Sequence, residues 1–365
     1  MILNDVTLRE GEQMPDRNYT VEQKVEAGLE LSELGVESLE VGFPVTGEKD
    51  REAIRTLAVE AEADIVGLAR AVPGDVEAAA DASADVIQVM VPTSDYQLDH
   101  VLDKDRESVL QMAREAVDLV VDHGAVPHLI LVDAFRTEVE EIRTVAHEFD
   151  GVECITLADT VGARLPSGVQ RLLEKLEPSV DLERFGVHFH DDLGVGTANV
   201  LTAYQAGIGK ADVSVASLGE RAGNSSLEEV VVGGVLEHDE DFGVETDELI
   251  PKCERVLDVL GEQDAISDRK AILGSEVTKH ESGIHTAAML NEPKTFEPFD
   301  PGDFGGERDL LFGEGTGTTG ASILLSRAGV TPTDERVESF LSVLADEGPV
   351  DTEEAVSIAE ANFQA

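Results

Sequence analysis

The chain has 365 residues, a length that suits one large domain with a smaller companion. A hydrophobic content of 42% is enough for a sizeable core and excludes a disordered chain. Acidic residues number 76 against 27 basic ones, a net charge of −49, so the basic face that nucleic-acid binding needs is missing.

The strand-like runs, in chain order, are 2–6, 36–41, 64–68, 86–91, 126–132, 153–158, 184–190 and 212–216. Between them lie stretches with apolar residues at three- and four-residue spacing, such as 21–34 and 109–121, which predict amphipathic helices. Eight βα units ending near residue 240 are what a (β/α)8 TIM barrel requires, with an open doubly wound sheet as the rival. Polar and unusual residues follow many different strands, and a barrel gathers all its carboxyl strand ends at one mouth, which favours closure. The segment 248–260 reads as a helix. From about 264 to 320 the chain is rich in Gly, Pro, Thr and Phe without long periodicity, and 320–328, 334–346 and 352–362 read as short helices. The expected division is a barrel domain over 1–262, then a lid-like segment and helical subdomain over 263–365.

The acidic residues are spread over helical segments such as 21–33 and 103–122. This is the pattern of a solvated surface in concentrated salt, where screening cancels self-repulsion. Cys154 and Cys253 are too few for a disulfide framework or a thiolate cluster, which points to a reducing cytoplasm. No signal segment and no apolar stretch near ~18 residues is present, so no membrane partner is expected.

His188 and His190 stand two apart at the end of the seventh strand-like run and therefore share a face. With one carboxylate they would make a three-ligand site for a divalent metal that leaves positions open for substrate. Glu10 follows the first strand and is either that carboxylate or half of a rim salt bridge with Arg9. Asn224, in Leu218-Gly219-Glu220-Arg221-Ala222-Gly223-Asn224, is either a neutral oxygen ligand or a helix cap. His280 and His285 sit five apart in the lid-like segment. That spacing does not suit helical metal ligation, so His280 reads as a general base on a mobile segment or as an ordinary loop histidine.

Six motifs in this order resemble the metal-dependent Claisen-type synthases: the isopropylmalate, citramalate and homocitrate synthases, relatives of hydroxymethylglutaryl-CoA lyase. They are Leu8-Arg9-Glu10-Gly11-Glu12-Gln13-Met14-Pro15, Glu40-Val41-Gly42-Phe43-Pro44, Leu157-Ala158-Asp159-Thr160-Val161-Gly162, His188-Phe189-His190-Asp191-Asp192-Leu193-Gly194, Gly219-Glu220-Arg221-Ala222-Gly223-Asn224 and His280-Glu281-Ser282-Gly283-Ile284-His285. The resemblance implies that Glu10, His188, His190 and Asn224 hold a divalent metal (Mg, Mn or Zn) and that Arg9 stabilises an alkoxide. It implies that Thr160 binds the carboxylate of a 2-oxo acid, with Gln13, Gln88 and His128 as further substrate-binding positions. His280 would belong to the base machinery that takes a methyl proton from the co-substrate acetyl-CoA, in a homodimer where it can serve the neighbouring site. Such an enzyme releases CoA in amino-acid biosynthesis, leucine biosynthesis among the outcomes.

The resemblance breaks at the fifth strand. Family members carry a Ser-x-Glu-Asp run there, and this chain reads Ile130-Leu131-Val132-Asp133. Val132 cannot move a proton, and His128 faces the same side. The lid ends in Gly313-Glu314-Gly315-Thr316-Gly317 and lacks a basic group usual in the family. The regulatory domain of the long leucine-sensitive synthases is expected to be absent. The 2-oxo acid is left open, as are a lyase or aldolase on the same site and a non-catalytic metabolite-binding relative.

Overall fold

The computed structural model describes residues 1–364. A first compact unit comprises Met1–Glu245 and Pro251–Ile266. Its eight parallel strands close into a barrel in sequence order, which settles the choice against an open sheet. The strands are β1 (Ile2–Asp5), β2 (Ser38–Gly42), β3 (Asp64–Arg70), β4 (Val86–Pro92), β5 (Val126–Val132), β6 (Cys154–Asp159), β7 (Phe185–Phe189) and β8 (Lys210–Val213). The helices between and after them are α1 (Val21–Glu33), α2 (Glu48–Glu60), α3 (Pro73–Asp81), α4 (Arg106–Asp122), α5 (Val139–Glu148), α6 (Pro166–Leu176), α7 (Gly196–Gln205) and α8 (Leu227–His238).

Parallel barrel strands are covered on both faces, by helices outside and by neighbouring side chains inside. Every residue of β2, β6 and β7 is accordingly buried. The helices lean on local chemistry at their ends. Thr20 and Gln23 form a reciprocal capping box at the start of α1, satisfying two otherwise free N–H groups. Behind that cap, Lys24, Ala27, Gly28 and Leu31 recur at helical spacing and form the buried stripe.

Two strands end where the sequence did not suggest. The eighth was expected over 212–216 but runs over Lys210–Val213, pairing Ile2 with Lys210 and Asp5 with Val213. The chain leaves the sheet in a tight turn over Val215–Ser217, where Ala216 has φ +52°. Lys210 lies outside the expected run, and its side chain is buried inside the barrel. The seventh strand stops at Phe189, and His190 makes a single antiparallel bridge to Asn224.

The second unit comprises residues 246–250 and those from 267 onward. Two-residue strands β9 (Lys279–His280) and β10 (Asp309–Leu310) pair in parallel. Its helices are α9 (Gly283–Met289), α10 (Thr318–Arg327), α11 (Asp334–Glu347) and α12 (Thr352–Phe363). The last three match the short helices expected from the sequence. They close on a core that includes Phe312, Leu324, Leu325, Phe340 and Leu344. Among the described residues, no helix is long and apolar enough to cross a membrane.

Candidate active site

A cavity of about 420 Å³ opens at the carboxyl ends of the barrel strands. Its polar pole is formed by Arg9, Glu10, Thr160, His188, His190 and Glu220. Arg9 and Glu10 lie on the helical turn Thr7–Glu10 that follows β1. Asp5 shapes this turn by accepting from the Thr7 N–H at 2.8 Å and from its hydroxyl at 3.0 Å. His188 is the penultimate residue of β7, and His190 follows the strand end.

Donor atoms of Glu10, His188 and His190 lie within 4.8 Å of one another, all three residues buried. The two imidazoles meet edge to face with centroids 5.0 Å apart. Each ring is oriented from behind. His188 Nδ1 lies 3.1 Å from Asp212, so its Nε2 is turned toward Glu10, 3.8 Å away. His190 Nδ1 lies 3.3 Å from the Asp159 carbonyl oxygen. Such partners fix the tautomer in which Nε2 is the free ligand atom.

Asn224 is brought to His190 by the loop after β8. Gly223 makes that return possible: at φ +87°, a Cβ there would stand 1.8 Å from the Ser217 carbonyl oxygen. The Asn224 amide donates to the Leu218 carbonyl at 3.0 Å, which leaves Oδ1 without a partner. Glu10 Oε2 and His190 Nε2 are likewise buried and unpartnered. A buried polar atom without a partner costs free energy, so such atoms at Glu10 and His190, with Asn224 bridged to His190 through the backbone, fit the donor set of a bound cation. Two imidazoles, one carboxylate and one amide oxygen, without thiolate, suit Mg, Mn or Zn.

The electrostatics of Glu10 and His190 agree with that use. Burial alone would raise the Glu10 carboxyl, but the Arg9 guanidinium and both imidazoles hold it below its ordinary value. Burial and the neighbouring His188 ring push His190 down to about 4, leaving its lone pair available at neutral pH. For His188, burial is overcome by the Asp212 bond and charge, and the ring is raised.

Arg9 is held by two carboxylates, Glu10 and Glu40. Glu40 also accepts from the Gln88 amide at 2.9 Å, and the Gln88 oxygen lies 3.3 Å from the Lys210 ammonium. Lys210 is in turn 3.9 Å from Asp212. A circuit of buried polar groups thus runs beneath the cavity and joins the support of Arg9 to that of His188.

Gln13 and Thr160 line the cavity. The Thr160 hydroxyl accepts from the Asp133 N–H at 2.9 Å and keeps its own proton to donate. Gln88 and His128 are not among the lining residues. Gln88 is fully buried within the circuit, and His128 lies beside it in register, with both ring nitrogens unpartnered. His280 lies half-buried in β9 of the second unit. The supports supplied by Asp212, Glu40 and Lys210 escaped the sequence reading; Glu40, a charged residue inside the run 36–41, was the one with a usable local signal.

The HMGL-like family pattern matches residues 1–250, and a homocitrate synthase post-HMGL domain-like pattern matches 272–348. The chain belongs to the HMGL-like family. It is 39% identical over 344 residues to a homocitrate synthase AksA of Methanopyrus kandleri, covering 93% of this chain and 86% of the relative. It is 37% identical over 340 residues to a probable 2-isopropylmalate synthase of the same organism, covering 92% and 68%. Among solved structures, hydroxymethylglutaryl-CoA lyase from Pseudomonas aeruginosa superposes with a TM-score of 0.65 at 22% identity, over 75% of this chain and 97% of that one. That likeness is one of fold.

Proposed function

We propose that this protein condenses acetyl-CoA with a small 2-oxo acid and releases CoA, as a transferase of amino-acid biosynthesis. The observation that carries the reading is the donor set of Glu10, His188, His190 and Asn224, three of whose buried atoms lack partners, beside a guanidinium at the same cavity. A divalent cation held by these four residues would supply Lewis-acid polarisation of the 2-oxo group.

The chain's own groups do the rest. Thr160 donates its hydroxyl proton to the substrate carboxylate. Arg9, fixed by Glu10 and Glu40, presents its remaining N–H groups to the oxygen that becomes an alkoxide. The methyl carbon of acetyl-CoA loses a proton to a base, for which His280 is the candidate, and bonds to the 2-oxo carbon. Protonation of the alkoxide and attack of water on the thioester then release CoA and a hydroxy acid with one carboxylate more than the 2-oxo acid. The relatives' names cover homocitrate and isopropylmalate synthases, so names alone do not choose the acid. The reading extends to a salt-rich cytoplasm, supported by the net charge of −49, and to a homodimer in which His280 serves the neighbouring site.

The test is thiol release from acetyl-CoA in high KCl with Mg, Mn or Zn, screened over pyruvate, 2-oxoisovalerate, 2-oxoglutarate and oxaloacetate. Stimulation by at least one acid is expected. A folded, metal-loaded protein that no acid stimulates would overturn the condensation.

A further inference from the structure

The side of the cavity away from the metal donors is apolar. Leu68, Ile130 and Ala158 form a small buried cluster of their own, with Phe43 and Met90 packed on it. Val132 continues the same wall. These side chains come from the ends of β3, β4, β5 and β6 and from the turn after β2, so the wall is built by rigid strands.

No cation serves that wall. Arg9 is the single lysine or arginine among the described lining residues, and both Glu10 and Glu40 already bind it. Cations that touch lining residues are already paired, Lys49 with Glu12 and Arg221 with Glu220 and Asp192. Arg70 stands over the Phe43 ring at 5.7 Å but is held by Asp75 through two nitrogens at 2.7 and 3.0 Å. Lys24 is buried behind the rim and paired with Glu12 at 2.6 Å and Asp50 at 2.7 Å. Glu12 and Asp50 themselves line the cavity, and Lys24 and Lys49 balance their charges, so this part of the rim leaves no cation spare. A second carboxylate on the substrate would therefore lose its hydration without gaining a partner.

Resting on the condensation reading above, we infer that this protein takes 2-oxo acids with an uncharged aliphatic tail and rejects dicarboxylic ones. The reacting carbonyl and its carboxylate face the donor pole and Thr160, and the tail lies along Leu68, Met90, Ile130 and Val132. Each added methylene that the wall covers is worth about fourfold in affinity, so two extra carbons give about fifteenfold. An unpaired buried carboxylate costs about two to three orders of magnitude.

The test measures both binding and turnover with the metal-loaded full chain. Calorimetry with Mn and thiol release from acetyl-CoA are run with 2-oxoisovalerate, pyruvate and 2-oxoglutarate. The expected order is 2-oxoisovalerate over pyruvate by about fifteenfold and over 2-oxoglutarate by at least about a hundredfold. Met90→Lys, at a half-buried position, should shift that ranking toward 2-oxoglutarate by about tenfold or more. Binding led by 2-oxoglutarate, or a ranking that Met90→Lys leaves unmoved, would overturn the apolar-tail assignment while leaving the condensation intact. Absence of both binding and turnover with these three acids and with oxaloacetate would overturn the condensation reading, and this assignment with it.

Discussion

The Gln88 amide nitrogen lies 2.9 Å from a Glu40 carboxylate oxygen, and this bond is one support of Arg9. An amide has a donor end and an acceptor end. The Lys210 ammonium, 3.3 Å from Oε1, holds the acceptor end and so turns the donor end toward Glu40. Glu40 can then keep its other oxygen on Arg9. Gln88→Leu or Lys210→Met should lower kcat by about ten- to a hundredfold, the range found for groups that orient a site from behind, with KM for the 2-oxo acid nearly unchanged. Steady-state kinetics decide the matter: a large rise in KM with normal kcat would mean that Gln88 contacts the acid itself.

Asp212 performs the equivalent task for His188. Its carboxylate, fully buried, also accepts from Asn4 at 2.8 Å, so it cannot swing away from the imidazole. Asp212→Asn should weaken Mn or Zn binding by about ten- to a hundredfold without unfolding the barrel. His188→Ala removes a ligand outright and should leave no stoichiometric metal. Metal titration followed by calorimetry reads both, and unchanged affinity in either variant would contradict the ligand assignment.

The barrel and its mouth were legible because alternation along a strand, and chemistry placed after several strands, are local signals. His188 and His190 share a face for that reason, and Glu10 closes the set from 178 positions away (188 − 10). Depth along the barrel axis was not legible. Period two says that Gln88, Met90, His128 and Ile130 face inward, but not which of them reaches the cavity. The register pairs Gln88 with His128 and Met90 with Ile130, and only the second pair lines it. Positions 88 and 128 lie one layer lower, Gln88 in the polar circuit and His128 beside it. Lys210 and Asp212 eluded the reading for a related reason. Their partners Gln88, Asn4 and His188 are contributed by other strands, and nothing in the local pattern announces a buried ion pair.

Arg9 carries the charge expected to stabilise the alkoxide, but it also neutralises Glu40, which has no access to solvent. Arg9→Ala should lower kcat by about two to three orders of magnitude while metal content and 2-oxo acid affinity stay close to wild type. It should also cost stability, because a buried carboxylate loses its partner, by about 3 kcal/mol or more. Arg9→Lys separates the two effects. It keeps the neutralising charge and should restore most of the stability, but without the planar fork only a small part of kcat. Thermal unfolding beside turnover makes the comparison. Full activity in Arg9→Lys would show that charge alone suffices.

His128 makes the opposite kind of prediction, since it is buried and neither ring nitrogen has a partner. Burial, then the Lys210 ammonium, push it down to about 3. The unfolded chain, with an ordinary value near 6.5, takes up a proton in that interval and the folded one does not. The contribution to stability is therefore complete above pH ~6.5 and is lost progressively as pH falls toward ~3, by at most about 5 kcal/mol at ~1.4 per unit. His128→Phe removes the group while keeping its volume. The variant should match or exceed wild type at pH 7.5 and gain on it steadily down to pH 4.5, as measured by denaturant unfolding in constant salt. Every other titrating group is common to the two proteins, so the difference curve isolates His128. Turnover at pH 7.5 should stay within about threefold, because the ring lies below the cavity rather than in it. A drop of tenfold or more in kcat/KM, or parallel stability curves, would return His128 to the substrate-contacting set.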